Sequence, residues 1–120
     1  MQNAWHIKSY CGVAVDADLY IKFATNSIFT ILQRSGSMGY VEYKGSYAID
    51  TVNSIVSGEY MNGDAWVCDY RFSRGQNGEL IMENVSNSSE VTIYEPAEMP
   101  KVTSALSAPR SIAELIVKPL

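Results

Sequence analysis

Few residues in this chain could do chemistry, and they stand far apart. The single histidine, His6, shares a short run with Lys8. A general base needs an orienting acid and a nucleophile within reach, and the run offers neither. Asp64 and Asp69 flank Trp66 and could pose as the paired carboxylates of a glycoside hydrolase. Asp64, however, closes an Asn62-Gly63 turn, and Asp69 is expected to pair with a cross-strand Lys or Arg. No nucleophile elbow, phosphate-binding loop or dinucleotide fingerprint is present. Cys11 and Cys68 are the two cysteines, without a CxxC or a His/Cys cluster of metal-ligand spacing. They read as small buried apolar side chains, or as a pair in an oxidising compartment. The expectation is a protein that is not an enzyme, with no metal and no cofactor.

What remains is a set of aromatic residues at strand spacing. Trp66, Tyr70 and Phe72 lie on one face of a run, and Tyr43 and Tyr47 on one face of another. Tyr60 ends a third. If the runs form a barrel, all six point inward. Two outcomes are then open. The side chains line a ligand cavity with apolar walls and a few hydroxyls, or they fill a narrow barrel solidly. Each inward aromatic would contribute on the order of 1–2 kcal/mol to a buried ligand. Truncating Tyr47 or Tyr70 to alanine would weaken binding in the first case and stability in the second.

The elements that must position these residues are short strands. From Trp5 to Pro96 the chain reads as about eight apolar-aromatic runs, roughly ten to twelve residues apart, as in closed barrels and sandwiches. Strands are expected at 5–10, 19–23, 28–33, 40–49, 54–60, 65–73, 80–85 and 90–94. Leu19, Ile21 and Phe23 alternate cleanly with Tyr20 and Lys22. The run from Ile28 is ambiguous, because Ile28, Phe29, Ile31 and Leu32 are all apolar. Asn62-Gly63 and Asn77-Gly78 are strong hairpin signals. Gly45 and Gly58, each two residues before a tyrosine, mark a bend or close backbone approach covered by a neighbouring aromatic. Hairpins between neighbours favour an up-and-down meander, with a two-sheet sandwich as runner-up. Residues 1–100 form the barrel. Residues 101–120 form a tail, where Ser111 and Glu114 fit a capping box for a short helix docking on the barrel.

Composition bounds the rest. One hundred and twenty residues with 47% apolar content make one domain with an adequate core. The eight tyrosines outnumber Phe and Trp together, which suits strands and amphipathic surfaces. A net charge of −4, without a basic run, gives no footprint for nucleic acid and would be repelled by an acidic membrane surface. No apolar stretch reaches the ~18 residues of a membrane span. No signal peptide is visible before the first strand.

Over residues 3–100 the chain resembles a lipocalin-like, calycin-type domain, of the short kind found in exported proteins and lipoproteins of gram-negative gut bacteria. The likeness is carried by Asn3-Ala4-Trp5, by the strand Tyr40-Val41-Glu42-Tyr43-Lys44-Gly45-Ser46-Tyr47 and by Ser57-Gly58-Glu59-Tyr60-Met61-Asn62-Gly63. The Trp66-to-Phe72 run and the exit Tyr94-Glu95-Pro96-Ala97-Glu98 add to it. Lipocalins begin with Gly-x-Trp and place a late arginine over that Trp. Here Asn3 replaces the glycine, and Arg110 is the candidate arginine. The resemblance implies an antiparallel barrel, an exported, periplasmic or cell-surface setting, and a small apolar ligand, and the expected function is a module that holds a small apolar or amphipathic ligand against the inward aromatics Tyr43, Tyr47, Tyr60, Trp66, Tyr70 and Phe72. The competing reading is a packed barrel that serves as a structural or protein-interaction module.

Overall fold

The computed structural model of the chain describes residues 4–34 and 40–100, together with the backbone of a two-residue strand at 106–107. Ten strands follow in chain order: β1 Ala4–Tyr10, β2 Val13–Ala14, β3 Leu19–Phe23, β4 Ile28–Arg34, β5 Tyr40–Asp50, β6 Ile55–Tyr60, β7 Tyr70–Arg74, β8 Leu80–Asn84, β9 Asn87–Pro96 and β10 Leu106–Ser107. Eight of them close a ring of antiparallel pairings, β1-β3-β4-β5-β6-β7-β8-β9 and back to β1. Each barrel strand lies beside its neighbour in sequence, so the barrel is an up-and-down meander, as expected. Closing the ring leaves only short stretches of unpaired strand edge, which lessens the aggregation hazard of open sheets.

Alternation sorts each strand into an inner and an outer face. Trp5, Ile7, Leu19, Ile21, Phe29 and Ile31 are almost fully buried in one core cluster with Tyr43, Val56, Tyr60, Trp66, Tyr70, Leu80, Met82 and Tyr94. The ambiguity in β4 has a physical basis. Phe29, Ile31 and Gln33 alternate inward, while Leu32, on the opposite parity, is also only 5% exposed.

The turns follow their side chains. Cys11 and Gly12 both adopt positive φ, 52° and 82°, and fold β2 back on β1. Asn77 and Gly78 do the same at 60° and 75° in a short 3-10 turn between β7 and β8, as type I′ geometry requires. Between β5 and β6 the Asp50 carboxylate accepts hydrogen bonds from the Val52 and Asn53 amides and the Asn53 side chain, which holds its pKa below the usual carboxylate range. Asn84 closes the β8–β9 turn by accepting from the Ser86 and Asn87 amides at 2.8 and 3.2 Å.

Two expectations about elements need correction. The run expected as a strand over 65–73 is a strand only from Tyr70. After the Met61–Gly63 turn the chain makes a single bridge, Ala65 to Glu59, and then detours through Trp66 and Cys68. The β6–β7 seam is therefore narrow, with only Ile55↔Arg71 and Val56↔Tyr70 in register. The polar stretch expected as a loop over 86–89 is mostly strand, because β9 begins at Asn87. β2 and β10 were not anticipated. β10 runs parallel to the first half of β5, pairing with Val41 and Glu42, an edge that β6, which starts pairing at Gly45, leaves free. The helix expected after Ser111 and the arginine at Arg110 lie outside the described residues.

Candidate functional site

The six aromatics singled out by spacing all face the interior, but they divide between two regions. Tyr43, Tyr60, Trp66 and Tyr70 are packed solid toward the end of the barrel where β6 finishes. Phe29 sits at the centre of this packing, edge-to-face with Tyr60 and with Trp66, both at 5.3 Å between ring centroids. Trp66 in turn meets Tyr70 at 6.0 Å. Two glycines make the space. A Cβ at Gly45 would lie 2.0 Å from the Glu59 carbonyl and 2.6 Å from the Phe29 ring, and one at Gly58 would lie 2.5 Å from the Trp66 ring. Phe29 thus lies on Gly45, and Trp66 enters the barrel across Gly58. The Gly-x-Tyr pattern of β5 and β6 marked this close approach.

The packed region carries an electrostatic cost. The Tyr60 and Tyr94 hydroxyls and the Trp66 and Gln33 side-chain nitrogens have no hydrogen-bond partner among the described residues. Burial pushes the Tyr60, Tyr70 and Tyr94 phenols far above the ordinary tyrosine range. Lesser contributions come from neighbouring phenols, Tyr43 on Tyr60 and Tyr60 on Tyr94. At this end of the barrel Trp66 is buried among the packed rings.

Tyr47 and Phe72 belong to the other end. There, with Trp5, Phe23, Thr25, Ile49, Val56, Arg74, Leu80 and Met82, they surround a cavity of about 290 Å³. The walls come from the start of β1, β6 and β8 and from the ends of β3, β5 and β7, so the cavity sits at one mouth of the barrel. Phe23 and Tyr47 meet edge-to-face at 5.1 Å, and the Tyr47 hydroxyl donates to the Ala24 carbonyl. Arg74 places its guanidinium carbon 4.7 Å from the centre of the Trp5 ring, a cation–π contact that covers an otherwise buried indole. Arg74, at the end of β7, thus lies over Trp5; the expectation for Arg110 falls outside the described residues. Spacing held a signal for Arg74, since it continues the inward parity of Tyr70 and Phe72.

The chemistry first considered elsewhere takes other roles. His6 lies on the outer wall, 3.2 Å from a Glu95 oxygen and 3.8 Å from Asp18, with its ring 4.8 Å from Tyr20. Asp64 closes the Asn62 turn, as expected, accepting from the Asn62 side chain at 3.0 Å. Asp69 has no ion pair among the described residues, because Arg71 takes Glu83 at 3.2 Å instead. Cys11 is exposed and not buried, Cys68 is half-buried, and both are free thiols. Among the described residues no group of His, Cys, Asp and Glu could hold a metal ion, and no helix is long and apolar enough to cross a membrane.

Compared with known proteins, the chain matches no family model, no curated protein and no solved structure at a significant level.

Proposed function

We propose that this barrel is an exported binding module for a small apolar or amphipathic ligand, held at the mouth lined by Trp5, Tyr47, Val56 and Phe72. The observation that supports this most is the division of the interior. The barrel is filled tightly at one end, yet leaves about 290 Å³ at the other, walled by side chains that would gain by covering it. At roughly 30 Å³ per water-sized group, the space suits a group of about ten heavy atoms. The lipocalin-like reading is supported by the closed meander and by an arginine set over the Trp of the first strand, and an exported setting follows from that likeness. Of the six residues expected to bind, the cavity favours Tyr47 and Phe72. Tyr43, Tyr60, Trp66 and Tyr70 take the structural role that the packed-barrel alternative gave to all six.

The test is titration with an environment-sensitive apolar fluorophore, with Val56→Trp as the control. The larger ring intrudes into the cavity from β6, at a cost in core packing of about 1–3 kcal/mol. Saturable one-to-one binding to the wild type, lost in a Val56→Trp variant that still unfolds cooperatively, is expected. Equal signals from both proteins, or none from either, would return the barrel to the packed, ligand-free reading.

A further inference from the structure

Resting on that reading, we infer that the ligand is an amphipathic anion, its charged head held by Arg74 at the cavity rim and its tail of about ten heavy atoms inside. The argument starts from charge balance. Lys8 pairs with Glu79, Arg34 with Asp18, Lys44 with Glu42 and Arg71 with Glu83. Among the described residues Arg74 and Lys22 join no ion pair, and of the two it is Arg74 that lines the cavity. Its guanidinium lies over the Trp5 ring.

The carboxylates near it are not paired with it. The loops and strand ends at this mouth carry four, Asp50, Glu79, Glu95 and Glu98, of which Glu95 stands by His6 and Glu98 is exposed beyond the end of β9. Asp50 is taken up by the Val52 and Asn53 amides and the Asn53 side chain, and Glu79 by Lys8. The cavity wall itself contains no acidic residue. Its other polar groups are the Thr25 hydroxyl and the Tyr47 hydroxyl, and the latter already donates to Ala24.

An apolar pocket of this size with one uncompensated cation at its edge has a built-in preference. A carboxylate at the rim gains a charge-assisted and potentially bidentate hydrogen bond to the guanidinium. A neutral head of the same length gains less, and a cationic head is repelled. The Trp5 ring beneath keeps the arginine from swinging into solvent, so less side-chain freedom is lost on binding. Arg74 is exposed, so the gain is moderated by water and is expected to be about tenfold in affinity, which is about 1.4 kcal/mol.

The experiment is calorimetric titration of the full chain with decanoate, 1-decanol and decyltrimethylammonium, all below their aggregation limits, repeated on Arg74→Gln, Arg74→Lys and Val56→Trp. Expected for the wild type is decanoate binding about tenfold tighter than decanol, with the ammonium weakest. Arg74→Gln should erase the preference while leaving decanol within about threefold, and Arg74→Lys should keep part of it. Decanol equal to decanoate in the wild type, or a preference that survives Arg74→Gln, overturns the assignment of the head group and leaves the apolar cavity standing. Failure of all three ligands to bind, or binding that Val56→Trp does not reduce, overturns the cavity reading itself. The wild-type comparison decides the head group even if an Arg74 variant fails to fold.

Discussion

Removing one oxygen atom should have opposite effects at two tyrosines of this barrel. Tyr94 is fully buried and its hydroxyl has no hydrogen-bond partner among the described residues. An unsatisfied buried hydroxyl costs about 1–3 kcal/mol, and Tyr94→Phe removes that cost without changing the ring that fills the core. The expected result is stabilisation by about 1–2 kcal/mol, or a rise in Tm of roughly 4–8 °C for a domain of this size. Tyr47→Phe is the same chemical edit where the hydroxyl donates to the Ala24 carbonyl, and it should cost about 0.5–1.5 kcal/mol. Urea denaturation at neutral pH, with equal m-values, measures both. Tyr60 supplies a further check, because its hydroxyl is also unpartnered and close enough to shift the Tyr94 phenol. Stabilisation by Tyr60→Phe and Tyr94→Phe should be additive. If each single change destabilises by 1 kcal/mol or more and the double change recovers the loss, the two hydroxyls bond to each other, and the reasoning from unmet polar groups fails.

Two other perturbations test the packing. Gly45→Ala drives a methyl against a backbone carbonyl that cannot move, and should cost about 3 kcal/mol or more. Gly75→Ala meets only the movable ends of Ile81 and Glu79, at 3.0 and 3.3 Å, and should stay within about 1 kcal/mol; denaturation midpoints that rank the two the other way would contradict the close Phe29–Gly45 approach. Alkaline stability follows from the raised phenols. Tyr60, Tyr70 and Tyr94 stay neutral in the fold above the pH at which they ionise in the unfolded chain. Their contribution is therefore complete below about pH 10 and is lost as the pH climbs from there toward the folded values, at up to roughly 1.4 kcal/mol per group per pH unit. Tyrosinate absorbance should show three phenols appearing only together with unfolding, whereas smooth titration of all eight tyrosines in the native state would contradict their burial.

How much of this was legible in the sequence depends on what each residue must satisfy. β3 could be placed to the residue, because Leu19, Ile21 and Phe23 face the core and Tyr20 and Lys22 face water. The barrel could be read because turn residues separate runs of similar length. The inward direction of Trp66 was also legible, but its strand was not. Alternation persists through the detour because Trp66 and Cys68 still turn inward, while the hydrogen bonds of a ladder are absent until Tyr70. The site was half legible. Parity put Tyr47 and Phe72 inside, along with four aromatics that turn out to be packing. Trp66 crosses Gly58; the glycine marked a close approach, but no local pattern told which aromatic would cover it or which end of the barrel it would fill. Val56, Leu80, Met82 and Arg74 had the right parity, and nothing in their neighbourhoods marked the mouth.

The narrow β6–β7 seam gives the barrel uneven stiffness. A closed ring of strands resists bending only as well as its weakest junction, and here one junction has two register pairs where β4–β5 has seven. Val56 and Phe72 stand on the two sides of that junction and both line the cavity. The pairs that form lie at the cavity end, and the missing rungs lie opposite the detour through Trp66 and Cys68, where packed aromatic rings take the place of ladder hydrogen bonds. Amide exchange should be faster in the second half of β6 than along the β4–β5 ladder, and a bound molecule touching Val56 and Phe72 would brace the short paired stretch of the seam and slow exchange at Ile55 and Val56.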